Sequence, residues 1–341
     1  MKANDPIGFE ILQNRLQGAT DEAAISMIRV SGSPVAIYIG DLNAGMLTAE
    51  GDPILVGQYV TAKATCLSGV VKDILANYAE NPGIHPGEAF LCNDPYVGIM
   101  HQNDVAVVMP VFVDGELIAW AGADIHQIDV GGPTPGQVQL GAKDIFGEAP
   151  LIPPVRLMAH GEILHDVERN YLRKSRVPDL VAMDLRAKVA ACNSLSRNLT
   201  ELHHSLGPGR LKLLFADMIS DAETLLSEKL TKVPDGEWSH RIYLEFEGDV
   251  YTLMVRLEKT GGRLALEFTG SSHQAPATIN MTLPAVRAWL LGDICETLCW
   301  DMPWVIAGIE RVYDIVAPEG TLVHPTYPAG VSKSTTSIGL L

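Results

Sequence analysis

The 341-residue sequence predicts an α+β fold: mixed strands and helices, with an N-terminal hairpin, a long helix pair and a β-rich C-terminal segment. Three observations predict it. The apolar run VAVVMPVFVDGELIAWAGA (105–123) is split by Asp114-Gly115, a dipeptide that favours a type I′ hairpin turn. Residues 177–204 and 210–230 repeat apolar side chains every three or four positions, the period of a helix. Residues 238–270 read as three strands joined at Glu247-Gly248-Asp249 and Gly261-Gly262.

The first element is a helix over 5–30. Asn4-Asp5-Pro6 makes a start signal, and FEILQNRLQGATDEAAISMIRV keeps the helical spacing. VAIYIGDLNAGMLTAEGDPILV (35–56) alternates and carries turn residues, so it reads as short strands, and residues 59–80 return to helix. NPGIHPGEAFLCNDPYVGIMH (81–101), rich in Gly, Pro and Asn, reads as loop, strand and loop, running straight into the hairpin. Beyond the hairpin DVGGPTPG is a tight loop, and DIFGEAPLIPPVRL is extended because proline restricts its predecessor. Val177-Pro178-Asp179 opens a helix with Asp179 as candidate cap; Gly207-Pro208-Gly209 ends it, and two long adjacent helices suggest an antiparallel pair. A helix at 283–299 follows the three strands. At the end, Ser332–Thr336 is polar and Ile338–Leu341 apolar, as if another helix were starting. The expected organisation is an α+β region carrying the candidate chemistry at 1–176, a helical connector at 177–231, and a β-rich α+β region at 232–341 that continues beyond the chain end.

Hydrophobic residues make up 47% of the chain, charged residues 19%, and mean hydropathy is +0.14. Yet there is no apolar run of about 18 residues, so a membrane span is not expected. The surplus apolar surface instead predicts burial against partner subunits. A net charge of −16 argues against nucleic-acid binding, which needs basic patches for the phosphates. MKANDPIGFEIL has no basic stretch followed by an apolar one, and the five cysteines are odd in number and scattered. Both features predict a cytoplasmic chain with free thiols.

Candidate chemistry gathers at the open end of the hairpin. Pairing Val113 with Glu116 puts His126 opposite Asn103, with His101 two residues along on the same face. His101, Asp104 and His126 then make a two-His, one-carboxylate ligand set. In an ideal strand Asp104 would face the other way, so its inclusion requires a bulge, or a strand start at Asn103–Asp104. The alternative is three unconnected polar residues at strand ends. Asp129 and Asp94 are the candidate catalytic carboxylates; Asp129 is a candidate base or partner of a ligand imidazole, and equally a turn aspartate. Cys92 needs a base such as His85 or His101 to act as a nucleophile, and a buried strand cysteine is the simpler reading. Cys295 and Cys299 are spaced i, i+4 in an apolar helix and read as small core residues. No G-x-x-x-x-G-K-[ST], G-x-G-x-x-G or G-x-S-x-G is present, so a standard phosphate loop, dinucleotide loop or nucleophile elbow is not expected.

Five segments carry a family resemblance: DPIGFEILQNRL, HPGEAFLCNDPYVGIMHQNDVAVVMPVFVDGELIAW, His126 with QIDVGGPTPG, EFTGSSHQAPATINMT, and PEGTLVHPTYPAGV. Together they resemble the hydantoinase B family, the B half of the hydantoinase/5-oxoprolinase group, which also contains large subunits of acetone and acetophenone carboxylases. The resemblance implies an ATP-dependent enzyme whose ATP and Mg are bound by an A-type partner subunit in a hetero-oligomer. It also implies a divalent metal, zinc or manganese, on His101, Asp104 and His126. Many hydrolase members read GG-T-H where this chain has Gly98-Ile99-Met100-His101, and P-V-H-L-G near YVTAKATC (59–66). MHQNDV and DIFGEAPLIPPV are more similar to the ketone carboxylases. The expected function is the metal-binding subunit of an ATP-dependent ketone carboxylase, stabilising an enolate or activated carboxyl intermediate. The alternatives are the B subunit of an ATP-dependent cyclic-amide hydrolase and a non-catalytic structural subunit.

Overall fold

A computed structural model describes residues 5–334, and the apolar stretch Ile338–Leu341 lies outside them. Helix α1 (Pro6–Val30) starts as its sequence dictates: Asp5 accepts the Gly8 amide (2.9 Å) and Pro6 occupies the first turn, where its missing N–H costs nothing. Next come β1 (Leu42–Thr48), β2 (Pro53–Val56), α2 (Lys63–Tyr78), β3 (Ala89–Cys92), and the hairpin β4 (Asp104–Val113) and β5 (Glu116–His126). Strands β6 (Val155–Ala159) and β7 (Glu162–Ile163) complete a seven-stranded sheet in the order β2-β1-β5-β4-β3-β6-β7, with every pair antiparallel.

Both faces of this sheet are covered, which explains why its strands read as unbroken apolar runs. Odd-numbered residues of the hairpin (Val105, Val107, Ala121, Ala123, Ile125) pack into a core shared with α1 and α4 (Pro178–Leu206). Even-numbered ones (Ala106, Val108, Trp120) pack under α2 with Cys66, Leu67 and Val70. Trp120 is fully buried and still satisfies its indole N–H on the Ala49 carbonyl (3.2 Å). Beyond α4 come α5 (Arg210–Leu230) and a second sheet ordered β11-β10-β9-β8, built from β8 (Gly236–Phe246), β9 (Asp249–Thr260), β10 (Arg263–Glu267) and β11 (Tyr313–Val316), packed with α6 (Leu283–Leu298) and α7 (Ile306–Glu310). All five cysteines are buried and free. Among the described residues no helix is long and apolar enough to cross a membrane.

The elements depart from expectation in several places. Val35–Ile39 is a short helical turn rather than a strand: Pro34 supplies a helical φ and Gly40, at φ 72°, closes the turn. A helix, α3 (His165–Arg173), stands where none was expected; its acidic first turn and basic last turn suit the helix dipole. Asp179 is not the cap of α4, because Pro178 occupies the first turn and Val177 the cap position. The long helices do not pair chiefly with each other. Helix α4 lies on α1 and the hairpin, where Asp184 accepts the Ser31 hydroxyl and the Gly32 amide (3.2 Å), while α5 packs on α7. Residues 177–206 are thus part of the first core rather than a connector.

Candidate metal centre

The hairpin turns at Asp114-Gly115 with φ positive at both residues (52° and 83°) and Val113 paired with Glu116. Phe112 pairs with Leu117, but Val111 pairs with Ala119, so Ile118 is an extra residue on β5. This bulge moves the register by one, and His126 lands opposite Asp104 instead of Asn103. Asp104 therefore shares a face with His126. It is also the first residue of β4, as the strand-start option required, and the bulge lies at the far end of the hairpin. His101 joins them across a tight turn closed by the Asp104 amide on the His101 carbonyl (2.9 Å). The open end is clamped by the Gln127 amide on the Asn103 carbonyl (2.7 Å) and the Asn103 side chain on the Gln127 carbonyl (2.8 Å). Gly98 permits the close approach of this segment to α2, since a Cβ there would stand 2.9 Å from the Gly69 Cα.

His101 Nε2 lies 3.0 Å from His126 Nδ1, and Asp104 oxygens lie 3.2 Å from His126 Nδ1 and 3.4 Å from His101 Nε2. Donors held about 2.0–2.2 Å from a single ion stand about 2.8–3.6 Å apart at octahedral to tetrahedral angles, and these separations fall within that range. Asp104 Oδ2 is buried without a hydrogen-bond partner, as a ligand oxygen would be, and so is His101 Nδ1. Burial, with His126 and Lys63 nearby, pushes His101 down to about 4, so at neutral pH its ring offers a lone pair rather than a proton. Burial alone would raise Asp104, but His101, Lys63 and His126 outweigh it and hold the carboxyl well below the usual carboxylate range. The residues present thus fit a divalent cation of the kind that histidine and carboxylate ligands accept.

Three further residues complete the centre. Asp41, just before β1, brings Oδ2 to 3.5 Å from His126 Nδ1 and is the only one of the group with substantial exposure (28% of its side chain). It is a fourth candidate donor at the mouth. Lys63, the first residue of α2, is fully buried with Nζ 2.5 Å from Asp104, 2.7 Å from Asp124 and 3.1 Å from Asp41. Burial disfavours its charge, but Asp104, Asp124 and Asp41 outweigh that and raise it well above an ordinary lysine. The signal for Asp124 was available: it is two residues before His126 and so on the same face. Asp41 and Lys63 carried no spacing signal, because the pairing of β1 with β5 brings in Asp41 and the packing of α2 on the sheet brings in Lys63.

Asp94 and Asp129 are not part of this cluster. Asp129 receives Arg176 Nη1 (2.7 Å) and the amides of Arg176 (2.9 Å) and Gly131 (3.2 Å), which organises the loop after β5. Asp94 accepts the Tyr96 amide (2.9 Å) and starts the turn that leads to the metal segment; burial raises its pKa. Burial also pushes the Cys92 thiol up, opposite to what a thiolate nucleophile requires. Cys295 and Cys299 pack within the second core.

Residues 5–340 match the sequence pattern of the family described as Hydantoinase B/oxoprolinase. The chain belongs to that family. It is 28% identical over 338 residues to the acetophenone carboxylase delta subunit of Aromatoleum aromaticum, covering 97% of this chain and 48% of that protein. The crystal structure of the ATP-dependent caprolactamase from Pseudomonas jessenii superposes with a TM-score of 0.89 at 27% identity, over 98% of this chain and 58% of that one. A nucleotide-free acetone carboxylase structure shares the fold, with a TM-score of 0.93 at 21% identity, over 99% of this chain and 46% of that one. The chain spans about half the length of the curated relatives it matches.

Proposed function

We propose that the chain is the metal-binding part of an ATP-dependent ketone carboxylase, with nucleotide handled by an A-type partner subunit. The observation that carries this is the cluster of His101, Asp104 and His126, whose ligand atoms all lie within 4.8 Å of one another, inside a chain that aligns over 97% of its length with a carboxylase subunit. His101, Asp104, His126 and Asp41 would hold the cation. A zinc or manganese ion there supplies Lewis-acid stabilisation of negative charge developing on an oxygen, such as an enolate or carboxyl oxygen. The chain's own contribution is preparation. A neutral His101 and an ionised Asp104 need lose no proton on binding, and the closed surroundings of His101 and Asp104 exclude water, which strengthens every charge interaction made there. Asp41, half-open at the mouth, is the donor nearest to an incoming substrate. A second reading, hydrolysis of a cyclic amide, is favoured by the likeness to caprolactamase; the same donors would then orient water.

The test is substrate-dependent ATP turnover by the assembled complex, given a ketone with bicarbonate, or a lactam or hydantoin without it. Stimulation by ketone and bicarbonate, together with loss of bound metal and of turnover in His101→Ala and Asp41→Asn, is the expected result. Stimulation by the cyclic amide alone would overturn the carboxylase reading, and full turnover in metal-free His101→Ala would overturn the metal.

A further inference from the structure

Lys63 stands where two ordinary preferences oppose it: fully buried, and at the N-terminal end of a helix, whose dipole repels a cation. Its contacts show what it is placed to do. Nζ grips Oδ1 of Asp104 (2.5 Å) and Oδ1 of Asp41 (3.1 Å), the same one of two oxygens on each carboxylate. On Asp41 the second oxygen is the one turned toward the imidazoles, with Oδ2 3.5 Å from His126 Nδ1; on Asp104 both oxygens face them, Oδ1 3.2 Å from His126 Nδ1 and Oδ2 3.4 Å from His101 Nε2. Asp124 contacts the same ammonium at 2.7 Å and makes no contact with either imidazole in the donor set.

We infer that Lys63 is a positioning residue that makes Asp41 a one-oxygen ligand, and that Asp124 cancels its charge. This rests on the metal reading above. With its Oδ1 held by the ammonium, Asp41 is kept from closing on the cation through two oxygens, so a coordination position stays open for substrate. Charge arithmetic explains Asp124. An uncancelled ammonium beside a divalent ion repels it, and the low dielectric of a buried site strengthens that repulsion. A carboxylate on the ammonium that lies outside the donor cluster offsets that without competing for the metal. Lys63 and Asp124 thereby act as a neutral pair whose effect is orientation rather than field.

Cobalt(II) alone, added to the metal-free full chain, is the probe, because its d–d absorption weakens as coordination number rises. Asp124→Asn leaves Lys63 charged and the carboxylates gripped; cobalt affinity is expected to fall roughly 10-fold or more, with the wild-type spectrum kept. Lys63→Met with Asp124→Asn removes the pair at no change in net charge and frees Asp41 Oδ1; the absorption is expected to weaken as Asp41 turns two-oxygen. A double variant with the wild-type spectrum would overturn the assignment, whatever its affinity. So would a double variant that cannot fold even with cobalt present, since the pair would then be a folding element. Wild-type chain that binds no cobalt would instead remove the metal reading itself.

Discussion

Two buried lysines flank the hairpin and have opposite fates, which shows how far a residue's chemistry is set by its neighbours. Lys63 meets three carboxylates and stays charged. Lys188, on α4, is equally buried but donates to a neutral acceptor, the Val105 carbonyl (3.0 Å). Burial lowers Lys188 to about 8, with Asp184 and Asp124 only partly opposing it. The sign of its contribution follows. Between about pH 8 and its ordinary 10.5 the unfolded chain holds this proton and the folded chain does not, so stability rises with pH across that window. Thermal melting of wild type and Lys188→Met at pH 7.5 and 10 should show wild type gaining on the variant by on the order of 3 kcal/mol. A pH-independent difference would mean that the lysine is not titrating in the folded state. At this scale His101, Asp104 and His126 were legible because 25 residues and one turn hold them together. Lys63 and Asp41 were not, because a lone lysine or aspartate gives no sign of its partners until a distant strand is placed.

At the scale of elements, the hairpin shows what period and turn chemistry settle and what they leave open. Asp114-Gly115 and the flanking apolar runs fixed the turn and the pairing next to it. They did not reveal the extra residue at Ile118, because a half-buried isoleucine there looks like any strand residue. That one residue decides whether Asp104 faces the two histidines, since a one-residue slip moves every side chain to the other face. Deleting Ile118 together with Ala119 while keeping the turn should carry His126 opposite Val105, and bound metal should fall to less than about one tenth of a stoichiometric equivalent by elemental analysis. Ile118→Val, which keeps the bulge, should retain full occupancy. Retention of metal by the deletion would show that register is set at the open end, by the Asn103–Gln127 clamp, rather than from the turn. The helices show a parallel limit: α4 and α5 were legible as helices from their spacing, but neighbours in sequence were not neighbours in packing.

Across the whole molecule, the last described segment of the chain is built into the metal region, so the β-rich part does not stand apart from the first 176 residues. Glu148 is the junction. Its carboxylate receives the Gln102 side chain (2.6 Å) and the amides of Val331 (3.0 Å) and Ser332 (2.8 Å). Burial raises its pKa, and these three donors work against that rise. Around it, Tyr96 donates to the Ala329 carbonyl (2.7 Å), Ser334 to the Met100 carbonyl (3.1 Å), and Gln137 to the Ser332 carbonyl (2.9 Å). Gln102 and Met100 flank His101, so residues 329–334 brace the turn that presents a candidate ligand more than 200 residues earlier in the sequence. Glu148→Ala should therefore act in two places. Removing an anion that accepts three hydrogen bonds leaves buried donors unmet, a loss on the order of 3 kcal/mol. It should also loosen both ends of the brace, so that amide hydrogen exchange quickens at 329–334 and at 100–103 together and cobalt(II) affinity falls. Glu148→Gln, which keeps the shape and one acceptor, should recover part of each effect. Faster exchange at 329–334 with an unchanged metal site would show that the segment merely rests on the turn rather than holding it.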